Sequence, residues 1–138
     1  ARKEADALTR AVEDILETTL ACYRDRDHDL ARHVEPLEEV VDLMDDVLKN
    51  RHIERLKAGT CTVELGTQFL ELLINLERIS DHCSNVAMLI LRSTTPAKEN
   101  LPDNHTYLKY LHSGASAEFE KLFAQYQEQY YAPIRKEA

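Results

Sequence analysis

Two pairs of carboxylates carry the chemistry this sequence offers: Glu38 with Asp42, and Glu77 with Asp81. Each pair is spaced i, i+4, so on a helix its two side chains stand one above the other on the same face. Alone, such a pair repels and costs a helix a few tenths of a kcal/mol. In a chain with 25 acidic residues, single pairs also arise by chance. Two pairs on neighbouring antiparallel helices could bring four carboxylates together across one groove, with Asp45 close by. At low dielectric these cannot all stay ionised without compensating charge. A hard cation supplies it, and Mg²⁺, Mn²⁺, Ca²⁺ or iron suit oxygen ligands. Arg78 is a second source of positive charge.

Other site chemistries find no support. A di-iron helical bundle needs Glu-x-x-His, and none of the 6 His has Glu three residues before it. HExxH, GxSxG and Walker patterns are absent. His82 points to the wet side of its helix, and the other histidines carry no spacing signal. The 3 Cys form no CxxC and suit small apolar residues in a reducing compartment. Metal-assisted phosphohydrolysis needs an open coordination position and a base, and neither is visible. The expectation is a protein that is not an enzyme.

Helices must position these acids. Leu8, Val12, Ile15, Thr19 and Cys22 predict a first helix over about residues 5–23. Leu30, Val34, Leu37, Val41, Met44 and Leu48 predict a second over about residues 29–57, with Asp27 as a possible cap. Pro36 falls inside that span and implies a kink or a late start. Gly59 suits the end of that helix, and "TCT" offers hydroxyl caps for the next. Phe69, Leu72, Leu76, Ile79, Cys83, Val86 and Ile90 predict a third helix over about residues 63–92. On its wheel the seam centres on Leu72 and Ile90. Glu77, Asp81 and Asn85 form a separate, slowly turning row that interrupts a second apolar strip of Leu70, Ile74 and Met88.

A loop marked by Pro96 and Pro102 follows. A helical turn near residues 107–111 and a last helix from about residues 113–116, ending before Pro133, complete the reading. Nothing alternates at period two. The fold expected is all-α: an antiparallel up-down three-helix bundle over residues 1–93. Residues 94–138 add a connecting loop and a C-terminal helix packed on the same domain. With 138 residues, 43% hydrophobic, the chain can bury a core. Its net charge of −8 disfavours nucleic acid and favours cations or basic surfaces. No apolar run reaches the roughly 20 residues of a membrane span. The chain starts without Met, so it is expected to be a piece of a longer protein.

Glu77-Arg78-Ile79-Ser80-Asp81, continuing to Asn85, with Glu38-Glu39-Val40-Val41-Asp42 on the preceding helix, resembles the PhoU domain. PhoU domains are three-helix bundles with one E/DxxxD motif on each of two helices, the second commonly within ERIxDxxxN. The resemblance covers about residues 5–92. It implies a non-catalytic regulator of phosphate uptake whose motifs, here Glu38, Asp42, Glu77 and Asp81, bind metal (Mg, Mn, Fe or Zn), with Arg78 and Asn85 orienting the carboxylates. Some relatives hold multinuclear clusters. A complete PhoU protein carries two bundles and this chain one.

Single bundles followed by "LPDNHTYL" and "SAEFEKLFAQYQEQY" resemble the cytoplasmic C-terminal domain of bacterial Na⁺/phosphate cotransporter-like proteins. The implied partner is the transporter's membrane domain or another phosphate-regulation protein, at the inner face of the plasma membrane. The alternative is a metal-free dimerisation module in which Leu70, Ile74 and Met88 pack on a second copy.

Overall fold

The computed structural model describes residues 1–94 and 103–135. Three long helices dominate: α1 (Arg2–Asp25), α3 (Val34–Lys57) and α4 (Val63–Thr94). Short α2 (His28–Ala31) joins the first two, and α5 (Asn104–His112), α6 (Ala117–Tyr126) and α7 (Ala132–Arg135) follow. Side-chain pairs give the directions. Glu4, near the start of α1, meets Arg51 and Arg55, near the end of α3, at 3.0 and 3.1 Å. Ser84, past the middle of α4, donates to Glu35 in the first turn of α3. α3 therefore runs against both neighbours, and the bundle is up-down-up, all-α, as the heptad patterns require.

Pro36 resolves into a late start. The expected second helix breaks at Arg32 and His33, and Pro36 then lies in the first turn of α3, where backbone N–H groups lack helical acceptors anyway. The Asp27 carboxylate caps α2 by accepting from the Leu30 N–H at 3.0 Å. Gly59, with φ of 70°, closes α3, and the Thr62 hydroxyl accepts from the Leu65 N–H to open α4. Gly66 marks a close approach of the two helices: a Cβ there would meet His52 Nε2 and a Leu56 methyl at 2.9 Å. The loop expected around Pro96 and Pro102 lies outside the described residues.

The core takes Leu8, Val12, Ile15, Cys22, Val41, Met44, Leu48, Leu76, Cys83 and Ile90, as the seams predict. One register differs. Leu72 and Ile79 are 41% and 38% exposed, while Leu73, Ser80, Ala87 and Leu91 are buried. The buried stripe of α4 is rotated toward the Glu77–Asp81 row. α4 lies against both α1 and α3, and small Ser80, Ser84 and Ala87 permit the close contact that a wheel weighted by large side chains misses. Met88 joins the core and Leu70 packs against it, leaving Ile74 exposed.

The C-terminal helix does not stop before Pro133. A π-helical turn, Gln127–Tyr131, leads directly into α7. Proline has no N–H and crowds the carbonyl one turn back, and the wider turn just ahead of it takes up that mismatch. This segment packs on α1 and α3. Tyr126 and His33 share a hydrogen bond of 2.8 Å, the Tyr130 hydroxyl donates to Asp14, and Arg51 donates to the Ile134 carbonyl at 2.9 Å. Among the described residues, no helix is long and apolar enough to cross a membrane.

Glu4 ties these ends together. Burial pushes its pKa up, but Arg51, the N-terminal ammonium and Arg55 outweigh that, and the net shift is downward. A group depressed in the folded state contributes stability above its unfolded pKa and loses it as pH falls through the folded value. Glu4→Ala is expected to cost about 3 kcal/mol near neutral pH. Urea titrations should show the gap to wild type shrinking below pH 4.5, the ordinary value for this group.

Candidate functional site

The two predicted pairs face one another, but among the described residues the close grouping of ligand atoms is Glu38, Glu39 and Asp42 of α3, and neither Glu77 nor Asp81 joins it. Antiparallel packing of α3 on α4 sets Glu38 and Asp42 opposite Glu77 and Asp81, and the rotation of α4 turns Glu77 toward α3. The Glu38 and Asp81 carboxyls lie within hydrogen-bonding reach of one another. That contact is favourable only when a proton, or another positive charge, sits between them. Burial first, then the charges of Glu35 and Asp42, hold Glu38 far above the ordinary carboxylate range. Asp42 is pushed up to about 7 by burial, then by Asp81, Glu39, Glu77 and Asp45. Every wall of the groove thus acts on Asp42.

The site is a ladder longer than the two pairs. Glu35, Glu38, Glu39, Asp42 and Asp45 line one side of α3. Glu35 and Asp45 are 3% and 2% exposed. Their burial has a plain origin: both lie where α3 packs on α4, Glu35 against Ser84 and Asp45 beside Lys49, which bridges to Glu77. Lys49 closes one end of the ladder, pairing with Asp45 one turn back and with Glu77 at 3.3 Å. His112 from α5 closes the other, with Nε2 at 3.0 Å from Glu35 and 3.4 Å from Glu39. Arg78 and Asn85 are exposed, and neither reaches a ladder carboxylate among the described residues. Lys49 stands where Arg78 was expected to act.

Sequence reasoning missed Glu35, Glu39, Lys49 and His112. Lys49 had a readable signal, since Asp45 and Lys49 are spaced i, i+4 in the favourable order. His112 had none, because 77 residues separate it from Glu35.

The donor set fits a hard cation. It is rich in carboxylate oxygen, and Glu38, Glu39 and Asp42 each place one ligand atom within 4.8 Å of the others. Asp42 Oδ1, Asp45 Oδ1 and the hydroxyl of fully buried Ser80, next to Asp81, have no hydrogen-bond partner in the described structure. Buried oxygens left unpaired in this way cost roughly 1–3 kcal/mol each, so the groove is poor as a purely structural device.

The PhoU domain family matches residues 6–90, well over half of the chain. The chain belongs to the PhoU domain family. No curated protein and no solved structure matches it. PhoU domains are regulatory and non-catalytic, acting in phosphate homeostasis. The ladder residues of α3 and α4 all fall inside the PhoU match, and α5, α6 and α7 fall outside it.

Proposed function

We propose that this PhoU domain regulates phosphate uptake from the cytoplasmic face of the membrane. In this reading Glu38 and Asp42 of α3, with Glu77 and Asp81 of α4, bind one or more metal cations (Mg, Mn, Fe or Zn). The partner is the membrane domain of a Na⁺/phosphate cotransporter-like protein or another phosphate-regulation protein. The observation that carries the reading is Asp42: a partly buried carboxylate facing Asp81, Glu39, Glu77 and Asp45, with one oxygen unpaired. A bound cation supplies the positive charge that lets these groups ionise together. The chain's own contribution is to set two carboxylates on each of two helices, from buried Glu38 to exposed Asp81, along one groove, so that occupancy fixes the α3–α4 spacing and the surface presented to the partner.

The dimerisation alternative gains little, because Met88, one of its three apolar anchors, is in the core.

Asp81→Ala removes the α4 carboxylate that touches Glu38 without disturbing the core. It is expected to bind Mn²⁺ at least about tenfold more weakly than wild type, as losses of metal-supporting residues do, and to lose most metal carried through purification. Equal metal content, with equal response of the melting midpoint to chelator, would sink the reading. In cells, the same substitution in the full-length gene is expected to change how phosphate uptake responds to external phosphate.

A further inference from the structure

His112 lies on α5, outside the family match, yet its Nε2 sits 3.0 Å from Glu35 and 3.4 Å from Glu39. Among the described residues, two groupings of ligand-type atoms occur, Glu35–Glu39–His112 and Glu38–Glu39–Asp42, and they share Glu39. The two glutamates differ in freedom. Glu35 is buried, and its second oxygen accepts from the Ser84 hydroxyl, so it is held in place. The Glu39 side chain is 35% exposed and offers its carboxylate to both groupings at once. Beneath α5 lies a cavity of about 310 Å³, lined in part by Glu35, Met88, Leu91, Tyr107, Leu111 and Phe119. The seat of α5 is therefore not close-packed, and the polar contact of His112 contributes more to holding it than one surface hydrogen bond normally does.

We propose that His112 latches the C-terminal segment onto the acid ladder, and that a cation held by Glu38, Glu39 and Asp42 competes with this latch for Glu39. The inference rests on the cation reading of the ladder given above and adds Glu39 to the residues that hold the cation there. The physical reason is that the bond to His112 draws its strength from the ionised carboxylate. A dication beside Glu39 consumes that charge and turns the side chain away from α5. The competition is reciprocal by linkage: what cation binding costs the latch, the latch costs cation binding. Cation occupancy on α3 and α4 is thereby read out as the position of α5, a segment that no ladder carboxylate belongs to.

The test uses the full chain with Mn²⁺ as probe, followed through the resonance signal of free Mn²⁺, together with hydrogen exchange of the α5 amides. His112→Ala is expected to bind Mn²⁺ more tightly than wild type by about 5-fold, the lower end of typical coupling between sites. In wild type, Mn²⁺ should speed exchange across α5. In His112→Ala that exchange should already be fast and should not respond to Mn²⁺. Weaker binding by His112→Ala would make the imidazole a ligand, and this or unchanged affinity would overturn the latch. So would slower α5 exchange on adding Mn²⁺. Wild type that takes up no Mn²⁺ at all overturns the cation reading itself, and is distinguishable from these results.

Discussion

Asp42→Asn is expected to stabilise the chelator-treated protein at pH 8 and to abolish its response to cations. Asp42 has its folded pKa raised to about 7 from an ordinary 3.8. The native state therefore holds more protons than the unfolded chain between about pH 4 and pH 7, and stability falls as pH rises across that window. At pH 8 the full cost of ionisation is present. One pKa unit corresponds to about 1.4 kcal/mol; since Asp42 is partly exposed, the gain from the neutral amide is discounted to about 3 kcal/mol. That is roughly 10 °C in the melting midpoint of a domain this size. At pH 5 about a third of the gain should remain, because the cost builds up between the ordinary value of 3.8 and about 7, and below pH 3.8 the gain should vanish.

With Mn²⁺ at a hundred times its dissociation constant, wild type should gain about 2.7 kcal/mol and the variant almost nothing. Melting curves against pH, with and without Mn²⁺, check both halves. A destabilised variant at pH 8 in chelator would show that Asp42 acts as an ordinary structural acceptor.

Lys49→Ala should have the opposite sign. Lys49 pairs with Asp45, nearly fully buried, and with Glu77 across the groove. Its own pKa is raised by the hydrogen bond and charge of Asp45 and by Glu77, against its burial. Removing it leaves Asp45 without its counter-charge, a loss of about 3 kcal/mol at pH 8. The loss should be smaller at pH 5 than at pH 8, because burial first raises the Asp45 pKa and removal of Lys49 raises it further. Added Mn²⁺ should recover part of it, making the fold cation-dependent. Denaturant titrations at the two pH values separate this from loss of the lysine stem, which would cost the same at both.

The helical periods were enough to read the bundle. Leu8 to Cys22, Val41 to Leu48 and Leu76 to Ile90 face one another because a 3.6-residue repeat leaves them no other common interior. The two acid pairs converge because an i, i+4 pair marks one helix face, and antiparallel packing of adjacent helices sets such faces opposite. The depth of the site was not readable. Glu35 and Asp45 look like a wet flank until Ser84 of α4 and His112 of α5 close on Glu35 and Lys49, bridging to Glu77, closes on Asp45, and no local pattern announces the cover by α5.

The row of fours was read too far along α4. Each step of four residues turns a helical row by about 40°, so Glu77 and Asp81 border the groove while Asn85 has left it. Arg78, about 100° beyond Glu77, points outward. Lys49, spaced for Asp45 in plain view, is the group that the wheel of α4 alone could not supply.

The central claim is that Glu38, Asp42, Glu77 and Asp81 together hold a cation between α3 and α4. Crystals grown with Mn²⁺ and measured at a wavelength where manganese scatters anomalously test it most directly. The account predicts an anomalous peak in the α3–α4 groove, with carboxylate oxygens of both helices at about 2.1–2.2 Å, typical distances for such ligands. A groove without a peak at saturating Mn²⁺, or manganese bound only elsewhere on the surface, would contradict it.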